Sequence, residues 1–212
     1  MIDELVSNVK GFIMTPSEMF KKTSGNSLSA AYQYYVILLV IFTVLFGIVA
    51  VSIGLSIFTS MVAQMAVIPI VGNVISSAAS NFSGFVIALG VFFVYLLFLF
   101  YLLGVFVEGL IIHAFVVLMG GEKGAKQTIK TTMYSSTPFL LLGWIPIVSM
   151  IAYIWSIVLL IIGIKETQEM ELGKAIVVVL IPIVLFIILI SLGAAVNIAF
   201  MNAISSLIPK TF

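Results

Sequence analysis

The chain has no cysteine and a single histidine, and only 8% of its 212 residues are charged. Without thiols it forms neither disulfides nor thiolate metal sites. The scarcity of charge excludes more. Soluble domains carry about 25% charged and roughly 45–50% apolar residues, whereas here 63% are hydrophobic and the mean hydropathy is +1.34. A water-soluble fold is ruled out. A net charge of +1 leaves no electrostatic footprint for nucleic acid. From Thr23 to Val107 no side chain is charged, a run of 85 residues against the ~20 that one helical crossing needs. That run crosses a bilayer at least twice.

The charge that is present falls in patches. Lysines 10, 21 and 22 form the first, lysines 123, 126 and 130 the second, and lysines 165 and 174 the third, leaving Lys210 alone near the end. Cytoplasmic loops collect lysine, so an even number of crossings separates each patch from the next. Five spans, at about 33–59, 84–118, 126–144, 147–164 and 175–200, satisfy this with only Lys210 outside. Merging residues 139–164 into one span would leave both Lys165 and Lys174 outside. The expected fold is all-α and polytopic. A cytoplasmic amphipathic segment (1–30) precedes a five-span domain (31–212) in the cell membrane, with the N-terminus cytoplasmic and the C-terminus extracytoplasmic.

In the N-terminal segment, Ile2, Leu5, Val6, Val9, Phe12 and Ile13 recur at helical spacing among Asp3, Glu4, Ser7, Asn8 and Lys10. This is an amphipathic helix expected to lie in the lipid interface. Its early acids and broken apolar pattern do not fit a secretory signal. Thr15, Pro16 and Glu18 then predict a capped start for a second short helix that ends by Gly25.

The first span opens on Tyr32, Tyr34 and Tyr35, an aromatic belt, and Ala50 and Gly54 offer a close helix approach. Residues 60–83, with Gln64, Pro69, Gly72, Asn73 and Asn81, read as an extracytoplasmic connection, partly helical and dipping into the interface, with a re-entrant pore loop as the alternative. The second apolar segment, 84–118, would be about 52 Å long as one helix, more than the ~30 Å hydrocarbon core. It contains Glu108 and His113, the only ionisable groups set inside an apolar run. Such groups are functional candidates because their desolvation is costly. Five residues apart, they point about 140° away from each other and make no same-face relay.

Gly120, Gly121, Lys123, Gly124 and Lys126 form a glycine-bearing turn that opens a helix, a candidate headgroup or anion loop. It is not a Walker loop, because Gly-Lys followed by Ser or Thr is missing. In the third span Lys130 is expected to snorkel to the inner interface. Pro138, Pro146 and Pro182 mark kinks, and Gly143–Pro146 makes the tight outer turn between the third and fourth spans. Glu108 and His113 lack a third partner, so no metal site, cofactor or catalytic set is predicted.

Several short motifs, in order, resemble the YIP family of Ypt/Rab-interacting membrane proteins and their prokaryotic relatives. They are Pro16-Ser17-Glu18-Met19-Phe20, Gly120-Gly121-Glu122-Lys123-Gly124 with Lys126-Gln127-Thr128, Tyr134-Ser135-Ser136-Thr137-Pro138, and Ile162-Gly163-Ile164-Lys165-Glu166 followed by Gly173-Lys174-Ala175. The resemblance implies a five-helix bundle with the same orientation as the lysine pattern. In eukaryotes it also implies Rab-linked vesicle traffic and membrane shaping, often in hetero-oligomers. With about 30 residues before the first span, this chain is similar to the compact archaeal and bacterial members, and Rab binding does not carry over. The expected function is a non-enzymatic integral membrane protein that organises, shapes or scaffolds a bilayer or a membrane complex. Its expected partners are lipids and other copies or membrane proteins. The alternative is a transporter, channel or lipid-moving protein built on Glu108.

Overall fold

In the computed structural model, residues 2–65 and 72–207 are described. An apolar chain in lipid must satisfy its backbone internally, which favours helices. The described residues form eight: α1 (Ile2–Met14), α2 (Pro16–Thr23), α3 (Leu28–Met65), α4 (Gly72–Leu118), α5 (Ala125–Ser135), α6 (Thr137–Leu142), α7 (Val148–Thr167) and α8 (Leu172–Leu207). Four segments are long and apolar enough to cross a membrane: Leu28–Gln64, Phe82–Leu118, Val148–Thr167 and Leu172–Ile204.

Helix boundaries depart from the sequence expectation in two places. The connection expected over 60–83 is mostly helical, because α3 continues to Met65 and α4 starts at Gly72. Its Ser, Asn and Gln residues interrupt the apolar pattern without breaking a helix. Pro69 lies outside the described residues. The third expected span is two helices, α5 and α6, divided at Ser136. Pro138 has no N–H to donate to the Tyr134 carbonyl, and the Thr137 hydroxyl donates to that carbonyl instead at 2.6 Å. By contrast, α8 runs unbroken through Pro182.

The core occupies one end of the molecule. Buried side chains stop at Thr43 on α3, start at Val105 on α4 and stop at Val179 on α8. Around them pack α5, α6 and α7, with Met133, Tyr134, Leu140 and Leu159 in one cluster and Leu160, Ile164, Ala175 and Val178 in a second. Beyond this core α3 and α4 continue as a pair. A Cβ on Gly47 would lie 3.1 Å from a Val94 methyl, and one on Gly90 would lie 3.0 Å from a Val51 methyl. These glycines permit the close approach expected at Ala50 and Gly54, while Gly54 faces open space. From Val184 to Ile204, α8 is exposed on every face.

The two N-terminal helices close the core. Leu5, Val9 and Phe12, the stripe expected to meet lipid, pack on the bundle. Phe12 is fully buried, with ring centroids 4.8 Å from Tyr134 and 5.1 Å from Phe20. Thr15 makes no side-chain cap, and its hydroxyl turns back to the Gly11 carbonyl. Only this residue separates α1 from α2, which leaves no room for a conventional helix start.

Candidate functional site: a polar helix sealed inside the bundle

The most polar of the membrane-embedded helices is also the most buried. On α5, every residue from Thr128 to Ser135 is buried. The surrounding helices turn apolar faces outward to lipid, so the hydrophilic side chains collect inside, where each must find a partner. Among the described residues none of the fully buried side-chain nitrogens or oxygens lacks one.

Lys130 departs most from expectation. It does not snorkel outward: it is buried, and its ammonium donates to the Ser24 carbonyl at 2.6 Å and the Asn26 carbonyl at 2.8 Å. Ser24 is the C-cap of α2, so the cation sits at the negative end of that helix dipole. Asn26 also donates its amide to the Tyr134 hydroxyl at 3.1 Å. The Tyr34 hydroxyl meets Thr137 at 2.9 Å, and Thr131 meets Thr167 at 2.8 Å. On the outside, Glu166 bridges Lys21 of α2 at 3.2 Å and Lys165 at 2.7 Å. Together these bonds fasten α2 and the α2–α3 linker to α5 and α7.

A second network ties the two turns at the charged end. Gln168 accepts from the Lys123 backbone N–H at 3.1 Å and donates to the Gly124 carbonyl at 3.4 Å and to Thr128 Oγ1 at 3.0 Å. Thr128 Oγ1 lies 3.0 Å from His113 Nδ1. The turn itself ends α4 as a Schellman motif, with Gly121 N–H on the Val116 carbonyl at 2.8 Å and Gly120 N–H on the Val117 carbonyl at 3.0 Å. Gly120 has φ +86, and a Cβ on Gly121 would collide with Val116. Lys123 pairs with Glu169 at 2.8 Å, while Lys126 is exposed at the start of α5. The glycines therefore shape the turn, and one of its two lysines already has a carboxylate partner.

Glu108 belongs to neither network. It is exposed on a flank of α4, beside the face that carries Val105, Gly109 and Ile112, whereas His113 turns toward α5, so the structure does not bring the two together. The best-formed concavities among the described residues are an open strip along α8 from Ile176 to Leu185 and a narrow crevice beside Lys130 lined by Phe20, Gln127 and Thr167. Neither reaches Glu108. Pro146 lies in the turn between α6 and α7, where its carbonyl accepts from Ser149 at 2.7 Å. Sequence reasoning missed Gln168, Thr128, Asn26 and the Lys21–Glu166 pair. The one available signal was the unusual density of Thr and Ser from Thr128 to Thr137 inside an expected span.

The site is thus a saturated hydrogen-bond lattice that locks helices together. A family model for the Yip1 domain matches residues 10–193, which takes in α2 to α7, both turns and the buried core of α8. No curated protein and no solved structure matches the chain. The match spans well over half of the 212 residues, and the chain belongs to the Yip1-domain family of membrane proteins.

Proposed function

We propose that this chain is a non-enzymatic organiser of the bilayer that shapes it by being wider in one leaflet than in the other. The observation that carries this reading is the one-ended core: past Thr43, Val105 and Val179 the three longest helices have no fully buried side chain among the described residues. One half of the molecule holds five membrane-embedded arms (α3, α4, α5–α6, α7 and α8) with α1 and α2 docked on them. The other half holds the α3–α4 pair and a lone α8. At 10–12 Å per helix diameter, two additional arms add about 160–230 Å² of cross-section on the crowded side.

The charged end is the cytoplasmic one by the lysine rule, so the N-terminus is cytoplasmic, the C-terminus extracytoplasmic, and the wide half lies in the cytoplasmic leaflet of the cell membrane. There the exposed Lys126 and the glycine turn meet lipid headgroups, and Glu108 lies at the edge of the same leaflet. The exposed part of α8 carries Ser191, Gly193 and Asn197. Small and amide side chains of this kind join helices in lipid, which suits packing against another copy or a different membrane protein.

The interior argues against the transport reading, because neither of the two best-formed concavities reaches Glu108 and the fully buried polar side-chain atoms among the described residues are already paired. Reconstituted into vesicles at increasing protein-to-lipid ratio, the protein is expected to lower the mean vesicle diameter or draw out tubules. A diameter independent of the ratio would remove the proposal.

A further inference from the structure

We infer that α6 and α7 form a half-depth hairpin whose turn, Gly143–Ile147, reverses inside the hydrocarbon and displaces lipid from the charged-side leaflet only. This rests on the membrane-shaping reading above and identifies the part of the chain that makes the wedge.

Three ring contacts fix the depth. Phe139 of α6 lies 5.3 Å from Phe42 of α3, 6.1 Å from Tyr101 of α4 and 6.2 Å from Tyr153 of α7, ring centre to ring centre. From that level the turn begins four residues along α6, about 6 Å further, and α7 starts five residues before Tyr153, about 7.5 Å further. The two arms agree. From the same level α3 runs 16 residues, about 24 Å, to Phe58, and α4 runs 19 residues, about 28 Å, to Phe82. Phe58 and Phe82 stack 6.0 Å apart in an uncharged, apolar stretch. The turn therefore stops about 16–22 Å short of them, and any tilt of α6 or α7 shortens its reach further. If the turn stood at the outer surface, the pair would carry exposed Ile48, Ile53, Ile57, Phe85, Val91 and Phe92 out into water. Lipid must cover them, which sets the turn about 16–22 Å inside the outer end of the α3–α4 pair.

The chemistry of the turn agrees independently. Irregular backbone inside a membrane is tolerated only where its polar groups are satisfied, and two of the four backbone N–H groups from Gly143 to Ile147 have backbone partners. Gly143 N–H bonds the Phe139 carbonyl at 2.7 Å, Ile145 N–H the Leu142 carbonyl at 3.1 Å, and Ser149 N–H the Ile145 carbonyl at 2.8 Å. The Trp144 indole donates to the Leu141 carbonyl at 2.8 Å, and Pro146 has no N–H to satisfy. No charged residue occurs between Lys130 and Lys165. At the tip, Ile147 is 87% exposed, the most exposed large apolar side chain among the described residues. An aqueous turn would present polar groups there.

The test uses the absence of cysteine from the chain. Single cysteines at Ile147, at Gln64 near the outer end of α3 and at Lys123 are reacted with an impermeant maleimide in sealed proteoliposomes, from one side and then both. Gln64→Cys and Lys123→Cys should label from opposite sides. Ile147→Cys should label from neither side, yet react fully after detergent denaturation. Labelling of Ile147→Cys from the Gln64 side would show a complete crossing, and labelling from the Lys123 side would show a hairpin in water. Either overturns the inference. Met150→Cys, one turn deeper into α7, is the second variant should Ile147→Cys fail to fold. The outcome is independent of vesicle shape, so a shallow hairpin with no bending, or bending with a complete crossing, separates this inference from the function it deepens.

Discussion

Replacing Phe12 by alanine should free α1 from the bundle while the rest stays folded. The Phe12 ring is fully buried, 4.8 Å from Tyr134, 5.1 Å from Phe20 and 5.9 Å from Tyr34. Truncating a buried phenylalanine costs about 3–5 kcal/mol. Leu5 and Val9, which pack on the same cluster, are only partly buried and cannot replace it. A loss of about 4 kcal/mol multiplies the undocked population roughly a thousandfold, at 1.4 kcal/mol per decade. The effect stays local because α2 keeps Phe20 in the core, the Lys130 ammonium on its C-terminus and the Lys21–Glu166 pair. Hydrogen exchange of the reconstituted protein reads this directly. Amides of residues 5–14 should approach solvent rates in Phe12→Ala, with α2 and α5 still protected, and trypsin should cut at Lys10. Val6→Ala, at an exposed position, should change nothing. An increase of less than tenfold in α1 exchange would refute the assignment of the ring cluster as its anchor.

Three further variants probe other parts of the fold. Gly109→Val places a side chain against the Ile129 Cα, 2.9 Å from where a Cβ would stand; backbone cannot step aside as a side chain does, so a loss of about 1–3 kcal/mol or more is expected as a lower melting temperature in detergent. Gln168→Ala removes three hydrogen bonds and leaves the Lys123 N–H unpaired; a cost of about 1–3 kcal/mol is expected, with faster amide exchange confined to the turns at residues 120–124 and 168–170. Glu108→Gln alters an exposed group outside both networks, and stability should stay within about 0.5 kcal/mol. Loss of a proton or lipid flux in liposomes on that substitution would instead favour the transport reading.

The all-helical, membrane-spanning class was legible because charge is scarce and costly in lipid, so long uncharged apolar runs mark membrane helices. The interior of the charged end was not. Residues from Thr128 to Thr137 look like a poor span because hydrophilic side chains in a lipid-facing helix would be unsatisfied. They work because α3, α4 and α7 surround them, a tertiary fact with no local signature. Lys130 followed the same logic: from sequence a lysine near a membrane end snorkels, and only the fold shows two carbonyls waiting inside. Glu108 was the reverse case. Its place in an apolar run suggested a buried site, yet it is exposed on a flank of α4, outside both hydrogen-bond networks. Gln168 sat unremarked in a charged loop because its value lies in three partners 40 to 45 residues away.

The wedge itself is tested most directly by curvature sorting. Labelled protein reconstituted with uniform orientation into giant vesicles, from which a thin tether is pulled, should concentrate in the tether when its lysine-bearing end lies on the convex surface. It should be depleted from the tether when that end lies on the concave surface. Equal density in tether and flat membrane in both orientations would contradict a molecule wider in one leaflet.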